Sequence, residues 1–204
     1  MRLWPLLVAA PLLLGVGSDE IPFRKHTIDL GRAESCAVAD LNRDGKVDII
    51  SGESWFEAPS WTRHKFRSLP FWENYVDNFS DHALDVNGDG YPDVVSVAWN
   101  ERRIAWWRNP GAPSRDRKGA DSDWLMQIIE TGSPVEFSFL VDLDNDGKAQ
   151  ELLPQFGNVK FPLSWYEVRN GAWVKHQVSD RSFGHGIGAG DVNGDRRADI
   201  VTPK

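Results

Sequence analysis

The sequence is poor in the residues that build covalent or soft-metal frameworks. Among 204 residues there is one cysteine, Cys36. A single thiol excludes an internal disulfide, a CxxC redox pair and a cysteine-rich zinc site. Positive charge is also in the minority, 23 Lys and Arg against 30 Asp and Glu, for a net charge of −7. That balance argues against a nucleic-acid partner, because phosphate binding needs clustered cations. No window carries a sustained helical apolar stripe. What is present is 41% hydrophobic residues, too many for a disordered chain, together with 10 Trp and 18 Gly. Such a mixture suits aromatic-packed strands joined by tight turns.

An apolar run from Leu3 to Val16 follows Arg2, with small residues at Gly15, Gly17 and Ser18. It is shorter than the ~20 apolar residues that span a bilayer, and Pro5 and Pro11 interrupt it. The pattern reads as a secretory signal over residues 1–17, cleaved after Gly17. The expected mature chain, residues 18–204, has no membrane span. It works in a secreted or periplasmic/extracellular setting, where calcium is plentiful.

One loop recurs four times. Its copies are Asp40-Leu-Asn42-Arg-Asp44-Gly45-Lys46-Val-Asp48 and Asp85-Val-Asn87-Gly-Asp89-Gly90-Tyr91-Pro-Asp93, then Asp142-Leu-Asp144-Asn-Asp146-Gly147-Lys148-Ala-Gln150-Glu151 and Asp191-Val-Asn193-Gly-Asp195-Arg196-Arg197-Ala-Asp199. Their first aspartates lie 45, 57 and 49 residues apart, the period of one four-stranded propeller blade. A β-branched or leucine pair follows each loop. An aromatic pair comes next, as Trp55-Phe56, Trp106-Trp107 and Trp165-Tyr166. An aromatic residue three before a His or Gln then recurs as Trp61/His64, Trp124/Gln127 and Trp173/His176. Phe23/His26 repeats that spacing upstream, which predicts a further strand near Phe23–Ile28. The turn signals Asn109-Pro110-Gly111 and Asn170-Gly171 separate the last two strands of a unit.

The loop chemistry points to calcium. Positions 1, 3 and 5 supply hard oxygen donors, Gly at 6 permits the sharp bend, position 7 offers a carbonyl and an acid at 9 closes the site. Oxygen donors without His or Cys favour calcium over zinc or copper. An EF-hand needs a bidentate Glu at position 12, where this chain has Ser51, Ser96, Leu153 and Thr202. The bland alternative is a set of metal-free Asx turns. Against it, twelve loop aspartates account for more than the whole net charge, since −7 + 12 = +5. Three carboxylates packed in one loop repel each other without a cation. The closing residue of the third loop is open between Gln150 and Glu151. In the fourth loop Arg196 replaces Gly, costing about 1 kcal/mol or more if φ must be positive.

These loops, with their strands and period, resemble the FG-GAP/VCBS repeats of integrin-α-like β-propellers, and the likeness runs through the mature chain. The Phe-Gly element stands at Phe183-Gly184. The resemblance implies an all-β propeller of four-stranded blades, typically seven, with structural Ca²⁺ in the loops and a surface for proteins or glycans. Carried over by position, the ligands are Asp40, Asn42, Asp44 and Asp48; Asp85, Asn87, Asp89 and Asp93; Asp142, Asp144 and Asp146 with Gln150 or Glu151; and Asp191, Asn193, Asp195 and Asp199. Lys46, Tyr91, Lys148 and Arg197 would give carbonyls. About three and a half blades fit in the chain, fewer than the four to eight of closed propellers, so part of a longer ring is expected.

Catalytic signals are sparse. His26, His64 and His176 share one repeat position, which marks strand-edge or inter-blade hydrogen bonding, since a catalytic group seldom recurs with a repeat. His82 and His185 precede their loops without a recognised nucleophile motif. Blade-core packing or loop bracing is expected of them, with a central channel as the alternative. The insertion between Asn109 and Asp123, flanked by Arg108, Arg115, Arg117 and Lys118, is the largest non-repeated feature. Asn78-Phe79-Ser80 is a glycosylation sequon. The sequence therefore reads as a secreted calcium-binding repeat module for an extracellular protein or glycan ligand. The alternative is the propeller of a carbohydrate-active enzyme, polysaccharide-lyase-like. No catalytic residue stands out, and nothing specific favours a redox propeller holding a quinone.

Overall fold

A computed structural model describes residues 22–111 and 123–203. The signal-type segment 1–17 lies outside the described residues, as do Arg115, Arg117 and Lys118. All regular structure among the described residues is β. The first sheet contains β1 (Ala37–Ala39), β2 (Asp48–Ser51), β3 (Ser54–Glu57) and β4 (Thr62–Lys65). A hairpin of β5 (Phe71–Trp72) and β6 (Tyr75–Val76) leads to the second sheet. That sheet is β7 (Ser80–Leu84), β8 (Asp93–Ala98), β9 (Arg103–Arg108) and β10 (Leu125–Thr131). The third holds β11 (Val135–Val141), β12 (Glu151–Phe156), β13 (Leu163–Arg169) and β14 (Ala172–Ser179). Then β15 (Gly188–Gly190) and β16 (Asp199–Val201) pair with each other.

Every sheet is antiparallel and wound in chain order, as propeller blades are, and no closed ring forms among the described residues. Each acidic loop joins the first and second strands of its sheet. The strands before the loops, β1, β7, β11 and β15, carry no repeated motif of their own. Phe23–Ile28 forms no strand, contrary to the sequence expectation. Among the described residues no sheet edge pairs with it, and Phe23 stays 92% exposed.

The second sheet is covered on both faces, which explains why all six residues of β8 are buried. Strand alternation sends Val95, Val97, Ile104 and Trp106 toward the third sheet, where they pack with Val135, Leu152, Phe156 and Tyr166. The opposite face sends Val94, Ala105 and Trp107 toward the first sheet, against Leu41, Ile50 and Phe66. The adjacent rings Trp106 and Trp107 thus fill two different seams. Trp55 and Trp165 behave otherwise: each stacks on the histidine across the strand pair, His64 at 4.3 Å and His176 at 4.0 Å. His64 and His176 also bond to Glu57 and Glu167. These histidines brace single sheets rather than the seams between them. His26 lies in no strand.

A buried polar knot crosses the seam between the first two sheets. Arg67 is wholly buried between the rings of Phe66 and Trp107, at 4.8 and 4.7 Å. Its guanidinium meets Asp81 at 2.8 Å and Gly52 O at 2.7 Å, and also bonds Ser96. Asn78 donates to Asp81 and Ser35 from a position 1% exposed, so the sequon's amide is engaged and inaccessible to a glycosyl group. Removing one partner of a buried pair strands the other's charge, at about 3–5 kcal/mol. Asp81→Ala is expected to lose that much in urea unfolding, and a loss under about 1 kcal/mol contradicts a stranded Arg67.

Candidate metal centre

The four loops share one hydrogen-bond scheme. The first aspartate accepts the backbone N–H of position 5 on one oxygen: Asp44 to Asp40 at 3.0 Å, Asp89 to Asp85, Asp146 to Asp142 and Asp195 to Asp191 at 3.1 Å. Its other oxygen accepts the N–H of position 6, from Gly45, Gly90, Gly147 or Arg196, at 2.8–3.0 Å. Asn42, Asn87, Asp144 and Asn193 accept the same position-5 N–H at 2.9–3.0 Å. The position-5 carboxylate accepts from Lys46, Tyr91, Lys148 or Arg197. Side-chain oxygens are therefore gathered on the inside of each turn by the backbone itself. Position 6 is left-handed in every copy, with φ of 84°, 86° and 89° at Gly45, Gly90 and Gly147 and 71° at Arg196. The fourth loop keeps the shape and carries the backbone cost of a non-glycine residue.

The closing acid pins the start of the loop. Asp48, Asp93, Glu151 and Asp199 accept the N–H of Leu41, Val86, Leu143 and Val192 at 2.8–3.0 Å. Strand register settles the third loop. Ala39 pairs with Asp48, Leu84 with Asp93, Gly190 with Asp199 and Val141 with Glu151. Glu151 is the closing residue, and one extra residue, the exposed Gln150, bulges ahead of it with its N–H on Lys148 O. The oxygens of Asp142, Asp144 and Glu151 lie within 4.8 Å of one another. An asparagine at position 3 lowers the charge of the other loops by one.

Electrostatics favour a cation in this cluster. Burial pushes the Glu151 carboxyl up, and Asp144 and Asp146 push it further. Burial likewise raises Asp93 to about 6, despite N–H donors from Asn109 and Val86. At the rim, Lys46 holds exposed Asp44 below the usual carboxylate range through a 2.7 Å bond. Lys148 and Arg108 lie 3.6 and 3.9 Å from Asp146 and Asp89. The donor set fits a hard divalent ion, because three converging carboxylate oxygens have lone pairs beyond those the backbone uses. In the third loop Asp142, Asp144 and Glu151 would hold it, supplying negative charge that the ion neutralises.

Asn109, read from sequence only as a turn residue, links two loops. Its N–H donates to Asp93 at 2.7 Å, and its amide donates to Leu41 O and Pro92 O at 2.9 and 3.0 Å. Arg43 of the first loop lies over the Tyr91 ring of the second at 5.3 Å. The remaining histidines sit at the other seam. His82 meets Ser138 Oγ at 2.8 Å, joining β7 to β11, and burial pushes its pKa down. His185 pairs with Glu136 at 2.6 Å and stacks on Trp99.

Consecutive antiparallel sheets, each headed by the same acidic turn, define a β-sheet repeat protein. Residues 85–153, from the second loop through the strand after the third, match the family model described as an FG-GAP-like repeat. That segment carries the FG-GAP-like repeat, and the first and fourth loops, outside it, follow the hydrogen-bond scheme of the matched pair. No curated protein and no solved structure matches it. Among the described residues no helix is long and apolar enough to cross a membrane.

Asp93 gives a pH test. Its folded pKa of about 6 lies above the ordinary 3.8, so the folded state holds a proton that the unfolded chain has released. Stability from this group is present below pH 4 and is lost as pH rises through 6, by about 3 kcal/mol. In cation-free buffer, Asp93→Asn should gain on wild type by about that amount between pH 4 and 7. A pH-independent difference between the two unfolding curves contradicts the assignment.

Proposed function

We propose that this chain is a secreted, calcium-braced repeat module that presents a rigid β surface to an extracellular protein or glycan. The observation that carries the reading is the convergence of Asp142, Asp144 and Glu151 inside a loop whose backbone scheme recurs four times. Calcium suits the all-oxygen donor set and tolerates the irregular geometry of a loop better than magnesium does. The ion's part is structural: it neutralises the carboxylates and fixes how the second strand of each sheet begins. Loop ligands to be held this way are Asp40, Asn42, Asp44 and Asp48 and their counterparts, with backbone carbonyls at Lys46, Tyr91, Lys148 and Arg197. FG-GAP repeats are typical of extracellular proteins, in keeping with the signal-type N-terminus.

Thermal melting with calcium, magnesium or chelator tests this reading. At calcium one hundred times Kd, each site adds about 2.7 kcal/mol, raising Tm by roughly 5–10 °C in a chain of this size. The double variant Asp142→Asn/Asp144→Asn should lose part of that rise. Identical melting in calcium and in excess chelator contradicts the proposal.

A further inference from the structure

At the end of the sheets opposite the acidic loops, the β12–β13 turn (157–162) and the β14–β15 connection (180–187) flank an open cleft of about 400 Å³. That size falls among small-molecule sites, about 300–1,000 Å³. Val159, Lys160, Arg181, Ser182 and Phe183 line it, and most of the lining is apolar. The Arg181 guanidinium rests over the Phe183 ring at 5.5 Å, an arrangement that orders the side chain without using its N–H donors. Among the described residues neither Lys160 nor Arg181 forms an ion pair. The neighbouring carboxylate, Asp180, accepts from Gln177 at 2.8 Å.

Beneath the cleft Ser182 is 3% exposed, and its buried hydroxyl has no hydrogen-bond partner. Buried hydroxyls ordinarily find one. Ser182 and Gln155, whose Oε1 also lacks a partner, line a cavity of about 10 Å³, room for a single water that would serve both. Gln155 fixes the connection by donating to Gly184 O at 2.6 Å. The cleft thus combines two free cations and an apolar wall above a floor fixed by buried polar groups.

We propose that this cleft binds a carboxylate carried on a ring. Lys160 and Arg181 pair with the anion, and Phe183 with Val159 covers the ring. The same chemistry is offered by a uronic acid unit of a glycan and by an aromatic acid. The inference names the ligand chemistry of the binding module proposed above and rests on that reading, but it does not depend on calcium in the loops.

Calorimetric titration of the full chain with galacturonate, benzoate and neutral galactose tests it. The carboxylates should bind, more weakly as salt rises, and galactose should bind at least about tenfold more weakly. Arg181→Gln and Lys160→Gln should each lower affinity about tenfold without moving Tm. Stronger binding of galacturonate than benzoate assigns a glycan source, and the reverse assigns an aromatic acid. Equal binding of galactose and galacturonate, no binding of either carboxylate, or unchanged affinity in both variants overturns the inference. If that happens while calcium still raises Tm, only this ligand falls; carboxylate binding without a calcium response removes the calcium reading instead.

Discussion

A carboxylate that accepts two successive backbone N–H groups is the interaction on which the rest of the molecule depends. Asp40, Asp85, Asp142 and Asp191 each do this at the head of a sheet. The closing acid then ties the second residue of the loop to the first residue of the next strand. Chain reversal, strand register and the start of each sheet are fixed by the same few oxygens. The consequence is electrostatic: oxygens drawn together by backbone donors bring their negative charge with them, and in the third loop three carboxylates share one small volume.

The sheets are coupled through two unlike seams. Between the second and third sheets the contact is largely apolar, centred on Trp106, Phe156 and Tyr166. Between the first and second sheets a comparable apolar cluster surrounds the Arg67–Asp81 knot, and Asn109 links the loops above it. The first and second acidic loops are therefore joined directly by hydrogen bonds through Asn109. This gives the repeat array a stiffness that isolated sheets of three- and four-residue strands would lack.

The loops and the strands after them were legible in the sequence because their chemistry recurs at fixed spacing, and so was the all-β class. The strands before the loops were not. Ala37-Val38-Ala39 and Gly188-Ala189-Gly190 are too short and too small in side chain to carry a pattern of their own. Glu151 could be told from Gln150 only through register, because pairing with Val141 is a tertiary fact. Arg67 looks like a surface residue until Asp81 and Ser96, fourteen and twenty-nine positions away, are brought beside it. The same folding buries Asn78, and Phe23–Ile28, whose spacing suggested a strand, pairs with no sheet among the described residues. Local chemistry was readable; burial and partnership were set by residues far along the chain.

The most direct measurement is a high-resolution crystal structure of the chain grown in calcium, with anomalous scattering to locate the ion. The account predicts a calcium peak bounded by oxygens of Asp142, Asp144 and Glu151, with Leu143 N–H still bonded to Glu151. A water, or no density, between those three carboxylates in saturating calcium would contradict it.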